Sequence, residues 1–355
     1  MKKRTEVLLL VTILVVCLLT GCAKKTAVIG ANAEDGKLKV VAVNYAAYDF
    51  ARAVAGEQAD ITMLLQPGAE AHSYEPTPQD IITIQKSSVL IYTGGESDVW
   101  VDEVLKSVNM DNIAIVRMID CVTPYEEELV EGMQEVDHEH AEDGENQEDH
   151  EHVEDGETQE DHEHVEDGET QEDHEHIQEA EWDEHVWTSP INAAKISRVL
   201  ADTFAQKDSE NADLYQHNFT EYEGKLNELD QAFRAVTANA SGNLIVFGDR
   251  FPLRYFVEEY GISYRAAFPG CASDAEPSAA TIAYLIDLVK ENEIPVVFKI
   301  ELSNGKVAQA IADATGAKVE TFYACHNVTR DDYSKGVTYL DYMWKNVDVL
   351  KEALK

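Results

Sequence analysis

Twelve histidines lie in the chain, and eight of them fall in one tract of regular spacing. Asp137-His138-Glu139-His140, Asp149-His150-Glu151-His152, Asp161-His162-Glu163-His164 and Asp173-His174-Glu175-His176 repeat with a 12-residue period. Neutral imidazole is a good ligand for zinc, copper and nickel, and nearby carboxylates add charge attraction and oxygen ligands. Histidines two apart in a flexible chain both reach one ion. The tract therefore reads as several weak, exchanging metal sites at His138, His140, His150, His152, His162, His164, His174 and His176. One apolar residue per period cannot build a core, so the segment is expected to be disordered when free. Its Asp-Gly-Glu units lack the glycine placement of an EF-hand loop. No His-Glu-x-x-His pattern of a zinc protease occurs anywhere.

Four histidines stand outside the repeat: His72, His185, His217 and His326. His72 follows the Pro67-Gly68 turn, just past an expected strand. His185 immediately precedes Ser189-Pro190, a helix cap followed by proline at the first helical position. His326 follows another expected strand. All three sit at element ends, where the residues of α/β clefts collect. His217 lies among polar neighbours inside a helix and reads as a solvated surface residue.

The elements that must position these residues follow from apolar runs and their punctuation. Short apolar strands are expected at 38–43, 61–65, 88–92 and 113–117, with a helix starting over 48–55. After the acidic tract, a helix over 210–236 carries Leu214, Phe219, Tyr222, Leu226, Leu229, Phe233 and Val236 on one face. The βα pattern then resumes, with strands at 244–247, 295–299 and 318–323 and helices at 281–290, 306–315 and 334–354. The fold expected is α/β: two Rossmann-like domains, each with a mostly parallel sheet, joined by one long linker helix. In numbers, the organisation is an N-terminal domain over 37–188 with a disordered insert at 126–180, a helix pair over 189–238, and a C-terminal domain over 239–355.

Charge supports the same division. The chain has 355 residues and a formal net charge of -40, from 68 acidic and 28 basic residues. Between Met118 and Ala194 there are 30 acids and no Lys or Arg, so the rest carries 38 acids against 28 bases, a net of only -10. An ordinary folded protein thus bears one strongly acidic insert. Such a balance argues against nucleic acid as a partner and favours attraction of cations.

The first residues carry Lys2, Lys3 and Arg4, then an apolar run over 7–19 that is too short to span a bilayer. This is an export signal, and Leu19-Thr20-Gly21-Cys22 resembles a bacterial lipoprotein processing box. The expectation is a signal peptide over 1–22, lipid on Cys22, and a flexible tether over 23–36. The remaining Cys121, Cys271 and Cys325 are an odd number for an oxidising compartment. One disulfide is expected, with Cys271–Cys325 as the pair because both fall in the second half.

The segment Leu65-Gln66-Pro67-Gly68-Ala69-Glu70-Ala71-His72-Ser73-Tyr74-Glu75-Pro76-Thr77-Pro78 resembles the first ligand motif of the zinc/manganese substrate-binding lipoproteins of bacterial ABC importers, the zinc-type members especially. Asp183-Glu184-His185-Val186-Trp187-Thr188-Ser189-Pro190 resembles the second. Asn192, Glu276-Pro277-Ser278, Val297-Phe298, Thr315-Gly316-Ala317-Lys318, Tyr339 and Asn346 extend the similarity over most of 37–355 outside the insert. Zinc-type members also tend to carry a His/acid-rich loop at this place.

The resemblance implies a monomeric, lipid-anchored receptor on the outer face of the cell membrane. It captures Zn2+ between the domains and delivers it to an ABC importer permease, while the repeat collects metal. It implies ligands at His72 and His185, with His326 near the family's fourth position. The family's third ligand has no clear counterpart: Gly248 stands at about its place. Asp249 either supplies an oxygen or pairs with Arg250 or Arg254. Cys325, if a free thiolate, is an alternative ligand, as is Glu301. Histidine-rich ligation points to Zn2+ rather than Mn2+, which prefers oxygen. Release is expected to come from loops near His185 and small domain tilts.

Two other classes remain open on these residues. A surface adhesin or zinc buffer would share the tether and the repeat. A metallohydrolase would need an acid-base group such as Glu70, Glu75 or Glu301, and none has a recognisable catalytic spacing, so no enzyme is expected.

Overall fold

The computed structural model of the protein describes residues 36–70, 72–133, 182–270 and 277–355. The export segment, Cys22, the histidine repeat and Cys271 lie outside the described residues. The first sheet is built from β1 (Leu38–Ala42), β2 (Ala59–Met63), β3 (Val89–Tyr92) and β4 (Ala114–Arg117), all parallel in the order β2-β1-β3-β4. Apolar runs such as Val89-Leu90-Ile91-Tyr92 are buried along their whole length, as strands covered on both faces must be. Helices α1 (Tyr45–Ala55), α2 (Pro78–Gln85) and α3 (Val99–Ser107) return the chain between the strands. The start of α1 is set by Asn44, whose side chain accepts from the Ala47 N–H at 3.0 Å. A reciprocal Thr77/Asp80 box sets that of α2.

Two long helices lead to the second lobe, α4 (Pro190–Lys207) and α5 (Ala212–Ala238), and they pack on each other. The connection is a helix pair in which α5, at 27 residues, is the longer member. Ser189 caps α4 with Pro190 at its first position, as the sequence indicates. On α5 the buried stripe is Tyr215, Phe219, Tyr222, Leu226, Leu229 and Phe233, a strict alternation of four- and three-residue steps. Leu214, expected on that face, is exposed, and Tyr215 takes its place with its hydroxyl donated to Asp208 at 2.6 Å.

The second sheet comprises β5 (Leu244–Phe251), β6 (Ser263–Pro269), β7 (Val296–Lys299) and β8 (Lys318–Thr321), again all parallel, in the order β6-β5-β7-β8. Around it lie α6 (Arg254–Tyr260), α7 (Ala279–Glu291) and α8 (Lys306–Thr315). The closing helix expected at 334–354 is two helices, α9 (Arg330–Lys335) and α10 (Tyr339–Ala353). Gly336 separates them at φ 72°, a left-handed conformation that ends α9.

The largest buried cluster draws side chains from both sheets together with α1, α4, α5 and α10. Across the lobes, Tyr339 N–H donates to Asp49 at 2.8 Å and Gly68 N–H to the Val328 carbonyl at 2.8 Å. A shared core of this kind resists wide hinge opening.

The start of the expected disordered insert is in fact ordered. Glu126 pairs with Trp182 as an isolated antiparallel bridge, and Glu128 and Glu131 form ion pairs with Arg254 and Arg265 of the second lobe.

Candidate metal centre

Three histidines meet between the sheets. His72 lies in the loop between β2 and α2, His185 directly before the short turn Val186–Thr188 that leads into α4, and His326 in the loop after β8. One ligand nitrogen from each lies within 4.8 Å of the others. Ring centroids are 5.9 Å apart for His72 and His185, 5.0 Å for His72 and His326, and 5.2 Å for His185 and His326. Trp187 floors the group: fully buried, it donates its indole N–H to the Ala324 carbonyl at 2.8 Å and presents its ring to His185 and His326.

Each of two imidazoles is oriented from behind. His185 Nδ1 lies 3.2 Å from Asp183 Oδ1, while its Nε2 is buried with no hydrogen-bond partner. A buried orphan of this kind demands an explanation, and a metal is one. His72 Nδ1 is 2.7 Å from Ser97 Oγ, and that hydroxyl donates to Glu184 Oε1 at 2.5 Å. With its own proton committed to Glu184, Ser97 must accept from His72 Nδ1–H, which leaves Nε2 as the free lone pair. Carboxylate behind imidazole is the arrangement that fixes tautomer and raises ligand basicity. Gly95 makes the approach possible: a Cβ there would lie 2.4 Å from Glu184 Cβ.

The loop carrying His326 is shaped by Glu301. Its two oxygens accept the backbone N–H groups of Ala324 at 2.7 Å and His326 at 3.0 Å. Burial pushes the Glu301 carboxyl up to about 7 against the pull of these amides. Glu301 thus holds the ligand loop and does not join the three-imidazole group.

Electrostatics prepare two of the three donors. Burial first, and the neighbouring His185 charge next, lower His72 to about 4. Burial, then His72, His185 and Arg250, push His326 well below its ordinary value. Burial also works against a charge on His185, but the charge and hydrogen bond of Asp183 outweigh it and raise that group. His72 and His326 are therefore neutral at physiological pH.

These residues fit a transition-metal ion. Tetrahedral zinc with nitrogens at about 2.0–2.1 Å needs donors about 3.3 Å apart, so donors already within 4.8 Å close onto an ion by small shifts.

The remaining expected ligands are not brought to this group. Asp249 accepts the N–H of Arg250 at 2.9 Å and of Ile300 at 3.2 Å. Gly248 cannot stand in for a ligand position, because a Cβ would lie 2.4 Å from Ala308 Cα: it is where β5 touches α8. Arg250 makes a two-pronged pair with Glu70 at 3.2 and 3.0 Å. Arg254 pairs with Glu128 and with Glu258.

Cys325 is fully buried and forms no disulfide among the described residues; its expected partner, Cys271, lies outside them. Burial above all raises the pKa of this thiol in the metal-free protein, and its sulfur is not among the three donors that meet here. His217 is exposed beside Glu221, as its polar surroundings indicate.

Sequence reasoning missed Ser97, the separate tasks of Asp183 and Glu184, and the pairing of Arg250 with Glu70. The two acids stand directly before His185, but they end a run of 30 acids in which neither is distinctive.

Two parallel-sheet lobes with converging imidazoles between them define a cleft-type receptor for a metal ion. Residues 40–353 match the family described as zinc-uptake complex component A, periplasmic, and the chain belongs to that family. That family is one of uptake components, not of enzymes. The chain is 28% identical over 337 residues to the high-affinity zinc uptake system protein ZnuA of Bacillus subtilis, covering 95% of this chain and 94% of that protein. It is 27% identical over 321 residues to the zinc-binding lipoprotein AdcA of Streptococcus pneumoniae, covering 90% of this chain but only 56% of the longer AdcA. Among solved structures, the metal-dependent lipoprotein YcdH of Bacillus subtilis superposes with a TM-score of 0.68 at 26% identity, over 90% of this chain and all of that one.

Proposed function

We propose that the protein is an extracellular receptor that captures Zn2+ on His72, His185 and His326 and delivers it to the permease of an ABC importer. In this reading it is held at the outer face of the membrane by lipid on Cys22. The observation that carries it is the convergence of three imidazoles, two with Nδ1 engaged by carboxylate-linked partners and Nε2 left for a metal. Family membership and the names of the B. subtilis and S. pneumoniae relatives support zinc as the cargo. Nitrogen-only protein ligation favours zinc over manganese.

Release needs at least one ligand to leave. His185 is fully buried and tied to Asp183, so the loops around it are poorly placed to move. His72 is partly exposed and lies on a connecting loop, and it is the ligand we expect to depart first.

The test is a competitive zinc titration of the mature chain and of His185→Ala. One tight site is expected in the parent and none in the variant. Undiminished tight binding by His185→Ala would sink the reading.

A further inference from the structure

Residues 124–133 follow the first sheet in sequence but lie against the second lobe. Glu128 pairs with Arg254 of α6 at 2.5 Å, and Glu131 with Arg265 of β6 at 3.7 Å. Gly132, at φ 94°, passes so close to α7 that a Cβ there would lie 2.5 Å from Tyr284 Cδ1. The chain comes back at Trp182, which bridges Glu126. Next to that bridge the Asp183 N–H donates to the Tyr125 carbonyl at 2.9 Å. An outgoing and a returning pass thus lie side by side two residues before His185.

Tyr255 of α6 stands where the two passes meet. Its side chain is buried, and its hydroxyl donates to the Asp183 carbonyl at 2.7 Å while accepting the Tyr125 N–H at 3.2 Å. One phenol therefore joins both passes and ties them to the second lobe. Asp183 has every polar group engaged: its N–H by Tyr125, its carbonyl by Tyr255 and its carboxylate by His185. Asp183 Oδ1 also accepts the His185 N–H at 2.8 Å, so the carboxylate grips the backbone and the ring of that residue together. A shift of Asp183 is passed on to the imidazole.

We propose that Tyr255 is a positioning residue for zinc, through which the second lobe holds His185 in place by way of Asp183. The inference rests on the zinc reading above. The ion pairs at Glu128 and Glu131 are partly exposed, and such pairs contribute little singly. The phenol differs because both of its partners are backbone groups beside a buried carboxylate, and without the hydroxyl they lose their hydrogen bonds. Tyr255 touches no metal. It acts on the ligand through one intermediate, as the groups behind a metal-bound histidine do.

The experiment is chelator-competition titration of zinc into the mature chain, Tyr255→Phe, Glu128→Gln, Asp183→Ala and the Tyr255→Phe/Asp183→Ala double variant. Tyr255→Phe keeps the ring and removes only the hydroxyl, and it should weaken zinc binding by about tenfold. Glu128→Gln should stay close to the parent. In the Asp183→Ala background the carboxylate link is already gone, so adding Tyr255→Phe should cost little more. Cobalt(II) loaded into Tyr255→Phe should show shifted visible d–d bands, a change that lost stability alone does not produce. Parent-like affinity with unchanged cobalt bands in Tyr255→Phe overturns the proposal and leaves the zinc reading intact. So do losses that simply add in the double variant, or an equal loss in Glu128→Gln, since either assigns the effect to general attachment of the segment. Absence of tight zinc binding in the parent overturns the underlying reading instead.

Discussion

Glu184 Oε1 lies 3.4 Å from Nδ1 of His72, and the two are joined through the Ser97 hydroxyl. The residue before Glu184 orients His185, and the residue after it is His185 itself. Three consecutive residues therefore set two ligands from different parts of the chain. Because Glu184 acts on His72 through Ser97, its removal loosens a ligand without deleting one. Glu184→Gln should weaken zinc binding by about 10–100-fold, while Ser97→Ala, which breaks the same relay at its middle, should fall in the same range. Chelator competition measures both. Parent-like affinity in the two variants would show that the relay has no part in binding.

Proton release on binding follows from the unequal titration of the three imidazoles. His72, lowered to about 4, and His326, pushed down further by burial and its charged neighbours, are neutral at pH 6.5 and give up nothing. His185 differs, because Asp183 outweighs burial and holds its folded value above the ordinary 6.5. A raised histidine contributes stability that is complete below 6.5 and is lost as pH rises through the folded value. Zinc must displace that proton, so affinity should rise with pH across the same window and then level off. Calorimetry in buffers of different ionisation enthalpy should find about one proton released per zinc at pH 6.5. Asp183→Asn removes the raising influence and should abolish the release; persistence of a full proton in that variant would refute the assignment to His185.

A buried carboxyl outside the ligand set gives a stability test. Asp98 is raised to about 7 by burial foremost, then by the charge of Glu184, although it accepts the N–H of Thr93 at 2.6 Å. The folded state keeps its proton between about pH 4 and 7 while the unfolded chain has lost it. The folded form thus binds more protons there, so this group's contribution to stability falls as pH rises through that interval. Asp98→Asn removes the dependence. Thermal melts of the metal-free proteins should show the variant gaining on the parent between pH 5 and pH 8, and parallel curves would contradict the assignment.

How much of this was legible beforehand varied with the physical signal. Strands β1, β3, β4 and β7 are short, mainly apolar runs, with Lys39 inside β1 and Arg117 and Lys299 at the ends of β4 and β7, and the expected and observed spans agree within a residue or two. Strand β6 escaped notice because Ser263-Tyr264-Arg265 mixes polar residues into an edge strand of the sheet, which needs no continuous apolar run. The break at Gly336 was hidden because the strong periodicity of Tyr339–Ala353 dominates the segment, while Arg330–Lys335 buries no side chain and gives no apolar signal of its own. His72, His185 and His326 were legible because each sits at the end of an element, where a cleft collects side chains. The partners of Asp249 and Arg250 were not, since the two are neighbours in sequence, yet the bulge in β5 between Phe247 and Arg250 takes Asp249 to the Ile300 amide and Arg250 to Glu70. No linear spacing encodes that divergence.

The histidine repeat, which lies outside the described residues, is best tested by removal. Its flanks are fixed: Glu126 bridges Trp182, and Arg254 and Arg265 hold Glu128 and Glu131, so the stem closes before the first repeat begins. Deleting 137–176 should therefore leave the fold and the three-imidazole site untouched. The tract has eight imidazoles on redundant surroundings, so the expectation is several weak sites rather than one tight one. Calorimetry on the deletion chain should retain a single tight zinc event and lose the weak ones, with a melting temperature within a few degrees of the parent. If the tight event disappears with the tract, zinc is held by the repeat, and the cleft between the lobes is not the primary site.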